Sequence, residues 1–129
     1  MKKSGILNAE LSEQLARLGH GHLVTIGDCG LPRPAGVPCV DLAVIFGVPS
    51  FAQVFHAVAA EIVVEGAYLA AETLERNPDA AGLVSAGVEG LETCTHEDLK
   101  RLSRESVLFV RTGEATPYAN VVLRCGVPF

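Results

Sequence analysis

The sequence predicts an α/β fold, a single layered domain over residues 1–129 with a largely parallel central sheet flanked by helices. Three observations predict it. Apolar residues make up 49% of the chain but aromatics only 5%, a Val, Ala and Leu profile that suits sheet and helix packing. Short apolar runs of strand length recur, each bounded by glycine or proline. Between them lie stretches with helix caps and apolar residues three and four apart. Strands alternating with helices make crossover connections, and those favour parallel pairing. A length of 129 residues suits one core.

The elements follow in order. "LNAELSEQLARLGH" is a helix with Asn8 as cap, Leu11, Leu15 and Leu18 on one face, and Gly19 at its end. "HLVTIG" is a short buried strand closing at Gly27 and Asp28. "CGLPRPAGVPCVD", with three prolines and two glycines, is a loop, and "VDLAVIFG" is a strand or a tight turn into one. Pro49 and Ser50 open a helix with Phe51, Val54, Phe55, Val58 and Ile62 inward. A strand near Ile62 to Ala67 precedes a helix ending at Asn77 and Pro78. "GVEGLETCT" is a further strand. "THEDLKRLSRE" is a helix whose capping box sets Thr95 against Asp98. "SVLFVRTG" and "YANVVLRCG" are strands joined by the turn "EATP".

Composition removes several classes of function. Net charge is −5, and no Lys/Arg cluster is denser than "LKRLSRE", so no basic stripe tracks a phosphate backbone and nucleic acid is not an expected partner. The four cysteines, Cys29, Cys39, Cys94 and Cys125, form no C-x-x-C pair and read as free thiols of a reducing compartment. No apolar stretch follows Lys2 and Lys3 as in a signal peptide, and Glu61 and Glu65 interrupt the longest apolar runs too early for a membrane span. A soluble, cytoplasmic protein with no membrane partner is expected. Neither G-x-G-x-x-G nor G-x-x-x-x-G-K-[ST] occurs, so there is no cradle for a nucleotide.

Four stretches could carry chemistry. In "GHGH", His20 sits at an element boundary where an imidazole can act as acid or base near neutral pH. Alternatively one histidine closes the helix end and the other is solvated. The H-x-H spacing with His22 also admits a metal, but no third ligand stands at a telling distance, and no metal is expected. In "GDCGLP", Asp28 lies past the carboxyl end of a strand, where open α/β sheets bind ligands. Its carboxylate can hold sugar hydroxyls or stabilise its own turn. In "THEDLK", His96 and Lys100 share a helix face, and the positive helix end favours a neutral imidazole. In "RTGEATPYANVVLRCG", Tyr118 and Asn120 offer a phenol and a carboxamide that suit a polyol, or pack on the turn and pair with backbone.

Taken together, "LGH…D-x-G-L-P" and "R-T-G-E-x-x-P-Y-A-N", with "VDLAV", "GVPSFAQV" and "THEDLK" between them, resemble the D-ribose pyranase family in order and spacing. The resemblance runs from the first residues to the carboxyl end and is weakest between Ala70 and Leu91. It implies a cofactor-independent isomerase that interconverts β-pyranose and β-furanose D-ribose. It further implies that His20 is the proton donor, and that Asp28, His96, Lys100, Tyr118 and Asn120 bind substrate. Ring-like homo-oligomers, typically decamers with sites near subunit boundaries, are implied as well. Asp28 would orient the imidazole or anchor a hydroxyl. Two residues depart from the pattern, Cys29 in the pocket wall and His22, which lies outside the signature. The rivals are a mutarotase for L-fucose or another aldose, a sugar-binding oligomer without catalysis, and a metal enzyme built on His20, His22 and Asp28.

Overall fold

The structure is a computed structural model describing residues 1–129. Six strands form one sheet in the order β2-β5-β1-β6-β3-β4. They are β1 (Leu23–Gly27), β2 (Cys39–Asp41), β3 (Val64–Ala70), β4 (Leu91–Cys94), β5 (Leu108–Arg111) and β6 (Val121–Cys125). All neighbouring pairs are parallel except those of β6, which runs against β1 on one side and β3 on the other. The sheet is therefore largely parallel, with one reversed strand near its centre. β5 and β6 make no hairpin, because β1 lies between them. The turn "EATP" carries the chain across that strand.

Five helices flank the sheet: α1 (Ala9–Ala16), α2 (Phe51–Ala59), α3 (Ala71–Arg76), α4 (Pro78–Gly87) and α5 (His96–Ser103). One sheet face presents Val24, Ile26, Leu69, Val121 and Leu123 to Leu11, Phe55, Val58 and Val84, which forms the main core with α1, α2 and α4. On the other face, Leu99 of α5 packs on Ala70 and Val122, and Leu31 and Val37 of the long loop cover Phe109. Leu99 is fully buried. Truncating such a side chain to alanine costs about 2–5 kcal/mol, and here it loosens the helix that carries His96 and Lys100. No helix is long and apolar enough to cross a membrane.

The caps explain where the helices start. Asn8 Oδ1 accepts the Leu11 amide at 2.8 Å, and α1 ends one turn before the expected Gly19. Ser50 and Gln53 close a full capping box on α2, and Thr95 accepts the Asp98 amide at the start of α5. Ile62 lies beyond the end of α2 instead of on its face.

Two expectations are corrected. The strand sought in "VDLAVIFG" is only Cys39–Asp41, and Val44, Ile45, Phe46 and Val48 form an exposed turn beyond it. α4 is an additional helix that the sequence pattern does not predict. Its run "PDAAGLVSAG" is small-residue and weakly patterned, and Asn77 both ends α3 and caps α4 by accepting the Ala80 amide.

Candidate functional site

The reversal of β6 shapes the chemistry. The carboxyl ends of β1, β3 and β4 lie along one sheet edge with the beginning of β6, and the end of β6 meets the beginnings of β1 and β3 at the other. The predicted residues divide between these two edges.

Asp28, His96, Tyr118 and Asn120 belong to the first edge. Asn120, 1% exposed, accepts the Asp28 amide on Oδ1 at 2.7 Å and donates through Nδ2 to Asp28 Oδ2 at 2.9 Å. The other carboxylate oxygen of Asp28 accepts the Gly30 amide at 2.9 Å. Asp28 therefore stabilises its own turn and is fixed by the carboxamide as well. Tyr118 holds φ +59°, a left-handed conformation unusual for a bulky residue. Its ring meets that of His96 edge-on at 5.1 Å. His96 Nδ1 is buried and has no partner within the chain.

Two residues that the sequence reading missed tie this edge together. Glu72 Oε2 accepts the His96 amide at 3.0 Å, and Thr73 Oγ1 donates to the Tyr118 carbonyl at 2.9 Å. Both lie just past the carboxyl end of β3, the position where α/β sheets gather ligand groups, and that was their one available signal. Lys100, one turn after His96, donates from Nζ to Glu97 Oε1 at 2.8 Å. That hydrogen bond and the ammonium charge hold the Glu97 carboxyl below the ordinary carboxylate range.

The "RTGE" segment serves as scaffold. Arg111 pairs with Asp41 and donates to the Cys29 carbonyl, and Thr112 Oγ1 donates to the Gly27 carbonyl. Burial would push the Glu114 carboxyl up, but the amides of Phe51, Thr116 and Ala115 and the Thr116 hydroxyl hold it below its usual value. In this way the segment braces both the first turn of α2 and the loop leading to Tyr118.

His20 lies at the opposite edge. Its side chain is 61% exposed, and Nε2 stands 2.8 Å from Glu65 Oε2. Asp28 therefore does not orient His20 within one chain; the acid beside the imidazole is Glu65, 45 residues away in sequence. His22 Nδ1 accepts the Gly19 amide at 3.0 Å, within the turn that follows α1. His20, His22 and Asp28 do not converge as metal ligands, since Asp28 stands across the sheet from the two histidines.

With this geometry established, the relatives are informative. The model of the RbsD / FucU transport protein family matches residues 1–128. The chain belongs to that family. The D-ribose pyranase of Streptomyces avermitilis is 55% identical over 129 residues, covering both chains entirely, and that of Cutibacterium acnes is 49% identical with the same coverage. Among RbsD / FucU structures, Bacillus subtilis RbsD complexed with D-ribose matches with TM-score 0.92 and 41% identity over the whole of both chains. The fucose mutarotase of Streptococcus pneumoniae, in complex with L-fucose, matches with TM-score 0.72 at 16% identity, over 95% of each chain, and shares the fold.

Proposed function

We propose that this protein is a D-ribose pyranase, an isomerase that interconverts the β-pyranose and β-furanose rings of D-ribose. The observation that carries this reading is the full-length 55% identity to a D-ribose pyranase, joined to 41% identity with the ribose-bound RbsD structure. Fucose-related neighbours share too little sequence to favour another sugar.

The reaction needs only proton movement and one exchange of C–O bonds. A proton leaves the anomeric hydroxyl, the bond from C1 to the ring oxygen breaks, and the ring oxygen takes up a proton. The open aldehyde then closes through the 4-hydroxyl, whose oxygen adds to C1 as its proton leaves, while the carbonyl oxygen takes up a proton and becomes the new anomeric hydroxyl. Oxidation state is unchanged throughout. His20 is the proton-transfer group, an imidazole with an exposed ring. Asp28, His96, Lys100, Tyr118 and Asn120 bind the sugar, and the Asn120 brace on Asp28 holds the carboxylate in one orientation before substrate arrives.

His20 and Asp28 stand at opposite ends of β1, and its five residues alone span on the order of 15 Å. One pentose cannot touch both within a single chain. The proposed site is therefore composite, with His20 of one copy facing the Asp28 edge of the next in a decamer-like ring. Light scattering on the purified protein should give ten times the 13.6 kDa chain mass. A cytoplasmic setting suits the four free thiols.

Saturation-transfer NMR on equilibrated D-ribose and L-fucose tests the activity directly. Accelerated pyranose–furanose exchange of ribose is expected, and acceleration of fucose alone would refute the assignment. His20→Ala should keep ribose affinity within a few-fold and lower exchange by about 10²–10⁴-fold. Retention of full exchange in that variant would remove His20 from the chemistry.

A further inference from the structure

We propose that Glu65 is the positioning residue of His20: a β-bulge aims its carboxylate at Nε2, which fixes the imidazole and leaves Nδ1 as the nitrogen that exchanges protons with the sugar. The proposal deepens the reading above and rests on His20 as the proton-transfer group.

Three observations converge on it. First, β3 pairs with β6 through Val64–Cys125 and then Gly66–Arg124, so Glu65 is the extra residue of a bulge. Bulges re-aim side chains that regular pairing would send elsewhere, and they recur beside active sites. Second, the carboxylate is held from both sides. Oε2 stands 2.8 Å from His20 Nε2, and Oε1 stands 3.1 Å from Arg124 Nε, a charge contact off the line of a hydrogen bond. Arg124 is held in turn by the Tyr68 hydroxyl at 3.2 Å. Third, Gly66 makes room for this arrangement. A Cβ there would lie 3.0 Å from Arg124 Nη2, so the guanidinium rests on bare backbone.

The chemical consequence follows from the tautomer. A carboxylate accepts but does not donate, so the nitrogen facing it carries the proton in the neutral ring. Nδ1 is then the basic nitrogen, and it has no partner within the chain. An exposed histidine without such a partner would sample many rotamers. Fixing it keeps the basic nitrogen in reach of the hydroxyl whose proton moves, which is where orientation contributes to rate. The outer partners of metal-bound histidines do the same work, and their loss typically costs about 10–100-fold.

The test is the exchange rate on the assembled full-length protein as ribose concentration is varied, for wild type, Glu65→Gln, Glu65→Asp, His20→Ala and the His20→Ala/Glu65→Gln double variant. E65Q should lower kcat on the order of 10–100-fold with KM within about threefold of wild type, and E65D should recover part of the loss. In the His20→Ala background, E65Q should cost nothing further, because a residue acting through His20 has nothing left to position. Wild-type kcat in E65Q, or an equal further loss in the double variant, overturns the proposal. Full exchange in His20→Ala alone refutes instead the assignment on which the proposal rests. Thermal unfolding of E65D serves as the folding control should E65Q assemble poorly.

Discussion

The two ends of β1 are built on opposite plans. At the carboxyl end, Asp28 and Asn120 are locked by three hydrogen bonds, His96 and Tyr118 are in ring contact, and Glu72 and Thr73 pin the surrounding backbone. At the amino end, His20 is exposed and touches one acid. The contrast matches two tasks. Binding a polyol rewards donors and acceptors ordered in advance, so that ligand capture does not bear the cost of ordering them. Proton transfer, the task proposed for His20, rewards a basic nitrogen that faces outward, toward the substrate that the proposed composite site places on another copy.

The sharpest way to break this comparison is to remove one end at a time. His20→Ala should lower exchange by about 10²–10⁴-fold while ribose titration shows little change in affinity. Asp28→Ala should abolish binding and exchange together. Co-expressing the two variants should then restore a measurable fraction of exchange, because mixed assemblies pair an intact His20 with an intact Asp28 edge. Recovery of none would return both residues to one chain's site.

A smaller effect concerns order at the binding end. Asn120→Ala leaves the Asp28 amide and carboxylate short of partners and should cost about 1–3 kcal/mol of stability, read as a lower Tm together with weaker ribose binding. Tyr118 offers a finer test. Glycine tolerates positive φ without a Cβ penalty, so Tyr118→Gly should be more stable than Tyr118→Ala by about 1 kcal/mol, although both lose the phenol and its contact with His96.

The pH dependence isolates the brace below this end. The Glu114 carboxyl is depressed in the folded protein, so its stabilisation is present above its unfolded value near 4.5 and is lost as pH falls through the lower folded value. Wild type should therefore melt above Glu114→Gln at neutral pH, with the gap closing in acid below that point. The smallest effect is expected from His22→Ala, which removes only the acceptor of the Gly19 amide. Exchange should match wild type, and stability should change by about 0.5 kcal/mol or less.

The elements at the Asp28 edge were largely legible in the sequence because their signals are local. Asp28 directly follows an apolar run, Thr95 and Asp98 announce the helix that begins at His96, and Asn120 directly precedes the last strand. The partners within that end were not legible, since Asp28 and Asn120 lie 92 residues apart and only the sheet order makes them neighbours. The same is true of the contact between Glu65 and His20, which depends on a bulge that no periodicity reveals. α4 was missed for another reason. Its buried face consists of Ala80, Ala81 and Val84, too small to stand out as an amphipathic stripe, although Asn77 and Pro78 together carry a cap and a first-turn proline.

The direction of β6 has a mechanical consequence. This strand runs from Val121, just after the Tyr118–Asn120 segment, to Cys125, next to Arg124 and the Glu65 carboxylate, so a single short girder clamped by neighbours on both sides sets the spacing between the Asp28 edge and the His20 edge. Inserting two residues into β1 and β6 alike would keep every side chain on its own face yet push the ends about 7 Å further apart. Under the composite site proposed above, such a chain would fold and still fail as a catalyst, because copies stacked at the old interval would no longer bring an imidazole to a neighbour's sugar.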